Sequence, residues 1–594
     1  MRPMHRNITN ETSQQLPSNR WKTIKRLLEE LHENKGILYI VLLIVLINAA
    51  LGIAGPFLIG VAIDQFIYEE RTTKFIYIVI GLLIVYFLYS LTSFLQNYWM
   101  IGIAQNTVFS MRTKLFTHLQ GLPISFFDKR QHGELMSRIT NDMDNVSSTL
   151  NSAVIQLFLS TLTLVGTIAM MLILSPVLTV ITLIIVPLMF YGMKWITNRT
   201  SRLFKEQQKY LGELNGHIEE SVSGQKIIKV FSQEEVIIDD FLVKSEKLKQ
   251  AGYWAQTYSG FIPKLMNMLN NLSFALIAFI GGIFALNGYI TVGVMITFTE
   301  YARQFTRPLN DLANQFNTLL SAVAGAERVF DLLDLEQEES DEKYAKQLLN
   351  INGAVEFSHV SFSYEKAGNT INDVSFQVNH GEVLAIVGPT GAGKTTIINL
   401  LSRFYDCDQG VIRIDGTDIK KMTRSSLRSN MAFVLQDVFL FEGTIRENIR
   451  YGRLNATDEE VIIAAKRANA HRFITRLPDG YDTVLQQDGS GISQGQKQLL
   501  SIARAILRDP QILILDEATS NIDTVTEVHI QEALQQLMKG RTTFVIAHRL
   551  NTIQHADKIL VLNKGTIVEM GTHEQLLQRN GFYCQLYKNK HSVI

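Results

Sequence analysis

"VLAIVGPTGAGKTTIINLL", residues 383–401, passes from an apolar strand pattern through a glycine loop into a helix start. Gly388, four further residues, then Gly393, Lys394 and Thr395 fit the phosphate-binding loop. Glycines there let backbone N–H groups close around phosphate oxygens, lysine reaches the β- and γ-phosphates, and the threonine hydroxyl takes Mg²⁺. A helix beginning at the loop adds the partial positive charge of its N-terminus. The candidate nucleotide-binding residues of this stretch are Gly388, Pro389, Thr390, Gly391, Ala392, Gly393, Lys394, Thr395 and Thr396, and the implied cofactors are ATP and Mg²⁺.

Two further strand ends complete the pattern. "ILILDEATS", from Ile512, closes an apolar run with Asp516 and Glu517. Asp516 would hold Mg²⁺ through water, and Glu517 would orient or deprotonate the attacking water. An Asp-Glu pair is more often a solvated surface feature, but the end of a buried strand in a phosphate-loop domain favours catalysis. "FVIAHRL", from Phe544, ends a third strand at His548, within reach of the γ-phosphate edge. Short β-rich runs alternating with helical stretches make this half an α/β domain.

The first half differs. Apolar runs begin at Gly36 and Phe75 and recur over roughly 152–175, 177–197, 265–286 and 290–310. Each approaches the roughly 20 residues that a helix needs to cross hydrocarbon. Only Ser175-Pro176 separates the third from the fourth. Arg2, Arg6, Arg20, Lys22, Lys25, Arg26 and Lys35 precede the first run, whereas the loop after it has only Arg71 and Lys74. By the positive-inside rule both termini and the nucleotide-binding domain are cytosolic, in a multi-pass protein of the cell membrane. "WKTIKRLLEELHE", from Trp21, is an amphipathic elbow helix along the inner face of the lipid bilayer. The long inner segments read as helical extensions capped near Gly133 and Gly224, where they would couple to the C-terminal domain.

The expected fold is therefore a membrane α-helical domain of six transmembrane helices with long cytosolic extensions, followed by an α/β P-loop nucleotide-binding domain. The expected organisation is an N-terminus with the elbow helix over 1–35, spans over 36–330, a linker over 331–350 and the nucleotide domain over 351–594. With 56 basic and 56 acidic residues the net charge is zero, which argues against nucleic acid as a partner. Cys407 and Cys584 read as free, at least partly buried thiols in a reducing compartment. The polar N-terminus has no apolar signal region, and the sequons at Asn7 and Asn10 are discounted as chance matches.

Tyr364 in "FSY", the phosphate loop, Gln436 in "VLQD", "ISQGQ" at 492–496, "LDEATSNID" and "AHR" follow one another in this order. Together with the six-span half and "FFDKRQHGELMSRITND", they resemble the ABC exporters of the type IV fold, over about residues 20–590. The resemblance implies that Tyr364 stacks on adenine and that Gln436 links Mg²⁺ and water to the membrane domain. It implies that His548 contacts the γ-phosphate and that Asp523 communicates across a dimer. It also implies that Ser493, Gln494, Gly495 and Gln496 close over the ATP held by another chain.

One chain of this family with one nucleotide domain is half a transporter. The family's usual signature is LSGGQ, and here Gln494 replaces its second small residue while Lys394, Gln436, Glu517 and His548 are intact. The expected partner is therefore a second half-transporter in a heterodimer with one altered site, resembling heterodimeric bacterial multidrug exporters. A homodimer is the alternative. The expected function is ATP-driven export of hydrophobic or cationic small molecules. A lipid or peptide exporter, an importer, and an ATP-gated channel or regulatory subunit are the other readings. Asn267, Asn270, Asn271 and Phe274 recur at helical spacing on the fifth span and would either line a cargo cavity or bond between helices. Glu300, near the bilayer middle, would either bind cations or pair with Arg303, with Gln304 beside them.

Overall fold

The computed structural model describes residues 20–31, 35–69, 72–338, 341, 344–348, 351–364, 370–486, 489, 491–516, 523–547 and 553–591. Contacts divide the chain into two compact units, one of Met1–Gln120 with Gln131–Leu335 and one of Gly121–Arg130 with Glu336–Ile594.

The helical unit opens with α1 (Arg20–Leu31), which buries Leu27 and Leu31 and leaves Trp21 exposed, as an amphipathic elbow should. Six long helices follow among the described residues. They are α2 (Lys35–Glu69), α3 (Thr72–Gln120), α6 (Met143–Leu174), α7 (Pro176–Ser223), α9 (Glu234–Leu286) and α10 (Val292–Leu333). The 49 residues of α3 extend about 70 Å at 1.5 Å per residue, twice the hydrocarbon thickness, so the helix continues well beyond it. Ile76, Tyr77, Leu83 and Phe87 stand exposed on α3, as lipid-facing side chains do. Among the described residues five helices are long and apolar enough to span a membrane, and α10 is not one of them. The departure from six has a chemical cause: α10 carries Glu300, Arg303, Arg307 and Asp311 in its first half.

Short elements join these rods. Ser175 ends α6 in extended conformation, and its Oγ accepts from Leu178 N at 3.4 Å, so the expected Ser-Pro turn starts α7. Gly224 closes α7 and opens α8 (Gln225–Val230), as expected of a break. Gly133 is not one. It lies inside α5 (His132–Ser137), and the chain instead turns at 121–123 and 129–131 around α4 (Ile124–Asp128). Pro123 sets the first of these turns, which begins at Gly121, by fixing extended backbone before α4 (φ −67°, ψ 151°). A π-helical turn, Arg138–Asp142, then leads into α6.

Helices α2 and α10 touch backbone to backbone. A Cβ on Gly60 would stand 1.9 Å from Thr297 Oγ1, and one on Gly293 would stand 2.1 Å from Gly60 O. Asp64 caps α10 from α2: its carboxylate accepts from Thr291 Oγ1 at 2.5 Å and Gly293 N at 2.7 Å. Pro56 interrupts α2, and α10 bonds the carbonyls around the break, through Thr297 Oγ1 to Pro56 O and Tyr301 OH to Ile53 O. At the other end, the Arg328 guanidinium forks onto the buried Asp142 carboxylate, and Glu30 and Arg26 of α1 pair with Lys114 and Asp334, each at 2.7 Å.

The second unit holds two main sheets. Ile371–Val378, Val355–Phe362, Gln409–Ile414 and Thr417–Asp418 form an antiparallel sheet in that order. The other runs Thr566–Gly571, Lys558–Asn563, Val383–Val387, Thr542–Ile546, Ile512–Asp516, Met431–Val434, and all its neighbours but the first pair are parallel. Its inner strands are mostly apolar because both faces are covered, with Thr542 and Thr543 the buried polar exceptions. Ala385 and Val387 enter one core, Leu384 and Ile386 the other. The charged stretch read as a linker is partly anchored here. Arg428 forks onto Glu338 at 2.6 and 3.2 Å, and Arg424 reaches Asp341 at 3.4 Å. Both cysteines are free, Cys584 buried and Cys407 half-buried; burial pushes the Cys407 thiol up.

Candidate functional site

Parallel strands end together, and the candidate residues lie where they end. Ile386 is level with Ile546, Ile546 with Asp516, and Leu515 with Val434. The phosphate loop leaves the sheet one residue after Ile386, Asp516 ends the next strand but one, and Gln436 follows Val434 by two residues as an exposed side chain. Thus four strands deliver their C-terminal ends to one edge, the place where open α/β sheets bind ligands. Glu517 and His548, one and two residues beyond strands of this set, lie outside the described residues.

The loop needs its glycines. Gly391 and Gly393 have φ of +80° and +100°, which L side chains rarely adopt. A Cβ on Gly388 would be 2.4 Å from Leu562 O, and one on Gly393 would be 2.6 Å from Ile371 Cδ1. Gly393 is also the residue before the helix Lys394–Leu401. Lys394 is buried, and its ammonium donates to Gly388 O at 2.9 Å and Pro389 O at 3.0 Å, folded across the loop it would share with a phosphate. Ala392 and Thr396 are buried, whereas Pro389, Thr390 and Thr395 are exposed.

Tyr364 is fixed by neighbours that its motif does not reveal. Asn399, on the helix after the loop, donates to its hydroxyl at 3.0 Å, and Tyr405 meets its ring edge-on at 4.9 Å. Tyr405 in turn donates to Asp128 of α4 at 2.7 Å. Burial, then the adjacent Asp128 carboxylate, hold the Tyr405 hydroxyl well above the usual phenol range, so it is a donor at every working pH. The short cap α4 therefore belongs to this unit, tied to the aromatic pair beside the phosphate loop. Nothing in the sequence spacing joins residue 128 to residue 405.

The signature stretch is also a helix start, of a different kind. Ser493 is the N-cap of Gln494–Arg508, in extended conformation (φ −70°, ψ 159°). Its Oγ accepts from Gln496 N at 3.3 Å while Gln496 Oε1 accepts from Ser493 N at 2.9 Å, a reciprocal capping box. Gln494 is the first helical residue and is exposed, whereas Gly495 is buried. Gln494 is not among the residues of positive φ, so the backbone at 494 asks nothing of glycine. The bulk of its side chain is accommodated within the chain, and any steric effect falls on what approaches from outside. Asp523, expected to act across a dimer, caps the helix Thr524–Met538 by accepting from Thr526 N at 2.9 Å, and that bond depresses its carboxyl.

A family model described as ABC transporter transmembrane region matches residues 38–309, and one described as ABC transporter matches residues 371–520. The chain is 62% identical to the ABC transporter ATP-binding protein YfiC of Bacillus subtilis (strain 168), over 96% of this chain and 94% of that one. This chain belongs to the ABC transporter family. Within the family it is 47% identical to a fatty acid ABC transporter ATP-binding/permease protein of Mycobacterium bovis, over 81% of this chain and 76% of that one. It is 37% identical to an ATP-dependent lipid A-core flippase of Syntrophus aciditrophicus, over 96% and 94% of the two chains. It is thus an ABC exporter chain: a membrane domain followed by a domain that binds ATP and couples its hydrolysis to transport.

In this exporter the two cargo hints of the sequence meet. Arg303 of α10 lies over the Phe274 ring of α9 at 5.0 Å and pairs with Glu300 at 3.5 Å, both charges being half-exposed. Asn267, Asn271 and Phe274 are exposed on α9, so Asn267 and Asn271 do not serve as buried glue between helices of this chain.

Proposed function

We propose that this ABC exporter chain is the catalytically complete half of a heterodimeric exporter of hydrophobic or cationic compounds, similar in its motifs to the EfrD half of EfrCD. The observation that carries the proposal is the pairing of a phosphate loop with all its glycines in working conformation and a signature helix that presents Gln494 to the outside. In a homodimer that side chain would stand at both nucleotide sites. With a partner carrying an LSGGQ-like signature and lacking the catalytic glutamate, it stands at one.

Each residue then has a stated task. Tyr364 packs on adenine. The backbone from Gly388 to Gly393 and the Lys394 ammonium hold phosphates, with Lys394 leaving its two loop carbonyls to do so. Thr395, Asp516 and Gln436 suit a hard, oxygen-seeking cation, since they offer a hydroxyl, a carboxylate and an amide at one sheet edge. Mg²⁺ bound there would neutralise charge on the phosphates. Glu517 orients or deprotonates water, and His548 senses the γ-phosphate. Ser493, Gln494, Gly495 and Gln496 face the partner's nucleotide. The nucleotide domain and both termini lie in the cytosol, and closure of two nucleotide domains passes through α4 and α8 to the spans, driving alternating access. A lipid exporter is the second reading, favoured by the names of two relatives.

Expression of the chain alone and with its partner tests the proposal. The pair should hydrolyse ATP with drug stimulation, and Glu517→Gln should reduce turnover on the order of 10²-fold or more while ATP still binds. Full activity of the chain alone would make it a homodimer. Substantial residual turnover of the Glu517→Gln pair would mean that the partner has a complete site too.

A further inference from the structure

A polar cavity of about 370 Å³ opens inside the helical unit, between α2, α3, α6 and α10. All of its lining residues come from this one chain. Its walls are unusual for an apolar bundle: Asn48, Gln96, Gln156, Arg307, Asp311 and Gln315 all face it. It lies roughly 20 Å along α2 from Lys35, deep in the span at 1.5 Å per residue.

Buried polar atoms are normally satisfied, and here several are not. Asn48 is fully buried and Gln96 is 2% exposed, yet Asn48 Oδ1, Gln96 Oε1 and Gln315 Oε1 have no hydrogen-bond partner among the described residues. The Asn48 amide cannot be turned round to remedy this. Its nitrogen already donates to Tyr89 O and Thr92 Oγ1, both at 2.9 Å, and a flip would set oxygen against the Tyr89 carbonyl. These three oxygens are themselves closed off from the cavity space, so the groups it offers a ligand are the charged ones.

Charge completes the pattern. Arg307 and Asp311 stand one turn apart on α10 and line the same space. The ion pair that this spacing permits is not formed: Asp311 Oδ2 instead accepts from Gln156 Nε2 at 2.9 Å, and Arg307 has no ion pair among the described residues. Charged groups within a helix bundle are costly unless paired or used. A cation and an anion a turn apart on one wall complement a ligand that carries both signs.

We propose that this cavity binds a zwitterionic headgroup, an ammonium held by Asp311 and a phosphate held by Arg307. The inference deepens the export reading by naming a substrate class, a zwitterionic amphiphile. It is tested by binding, so it can fail while drug export and ATPase activity stand, and the reverse.

The full-length protein, with its partner where one is required, is reconstituted in nanodiscs made without ethanolamine lipids. Three probes are titrated by native mass spectrometry: lysophosphatidylethanolamine, free phosphoethanolamine and lysophosphatidylglycerol, which has the phosphate without the ammonium. The first should bind saturably, one per copy of this chain, and the third should neither bind the site nor compete. Binding of free phosphoethanolamine as well would identify a soluble zwitterion as a sufficient ligand, and binding of the lyso-lipid alone would identify a lipid. Arg307→Gln and Asp311→Asn should each weaken the zwitterion by about tenfold or more, with basal ATPase unchanged. Should either variant fail to assemble, the discrimination between the two lyso-lipids by the unmodified protein decides. No saturable binding of either zwitterion, equal binding of the glycerol lipid, or assembled variants that bind as the parent does would overturn the proposal and leave a water-filled cavity.

Discussion

Two helix starts in the nucleotide-binding unit look alike in sequence and differ in what they require. At the phosphate loop the residue before the helix, Gly393, has φ +100°, and an added Cβ would meet Ile371. At the signature the residue before the helix, Ser493, sits in ordinary extended backbone and closes a capping box. The first helical residue is buried in one case, Lys394, and exposed in the other, Gln494. One loop is thus constrained from within the chain. The other is locally satisfied, and whatever discriminates among side chains at 494 must come from a neighbouring molecule.

The contrast breaks most easily at Gly393. Gly393→Ala must hold a side chain at positive φ against Ile371 and the Thr370 carbonyl, so the loop has to shift. ATP affinity should fall on the order of 10²-fold, read by equilibrium binding of a fluorescent analogue. Near-normal binding would mean that the loop adapts as freely as the signature does. A smaller effect is expected at Ser493. Ser493→Ala removes the Oγ that accepts from Gln496 N and should lower stability by about 1 kcal/mol, seen as a modest shift in the denaturant midpoint. A loss as large as that at Gly393 would show that the serine does more than cap.

Much of this was legible in the sequence. The strand, glycine loop and helix around Lys394 are local, and so are the apolar runs, which is why their order and most of their limits agree with the structure. Gly133 misled because glycine marks a break only where the backbone requires it; α5 runs through it, and Pro123 sets one of the turns. The sixth span reads as apolar only if its charges are discounted, and two of those on α10, Arg307 and Asp311, line the polar cavity. The bond from Tyr405 to Asp128 joins residues 277 apart in the chain, and no periodicity carries that information. The acids at 338 and 341 look like a solvated linker until Arg424 and Arg428 are brought beside them. At Gln494 the sequence raises a question that the chain's own backbone does not answer, because that backbone is helical and asks nothing of glycine.

The most direct measurement is Gln494→Gly in the assembled transporter, with steady-state ATPase and nucleotide trapping resolved by site. The fold should be untouched, because nothing among the described residues packs to exclude or require a side chain there, and glycine at an exposed helix start changes stability by only about 0.5–1 kcal/mol. Turnover at the site formed by this chain's own phosphate loop should remain within about twofold, since that site is closed by the other signature, while nucleotide retention at the site facing residue 494 changes. A tenfold or larger change in overall turnover, with no difference in retention between the sites, would contradict the asymmetric assignment.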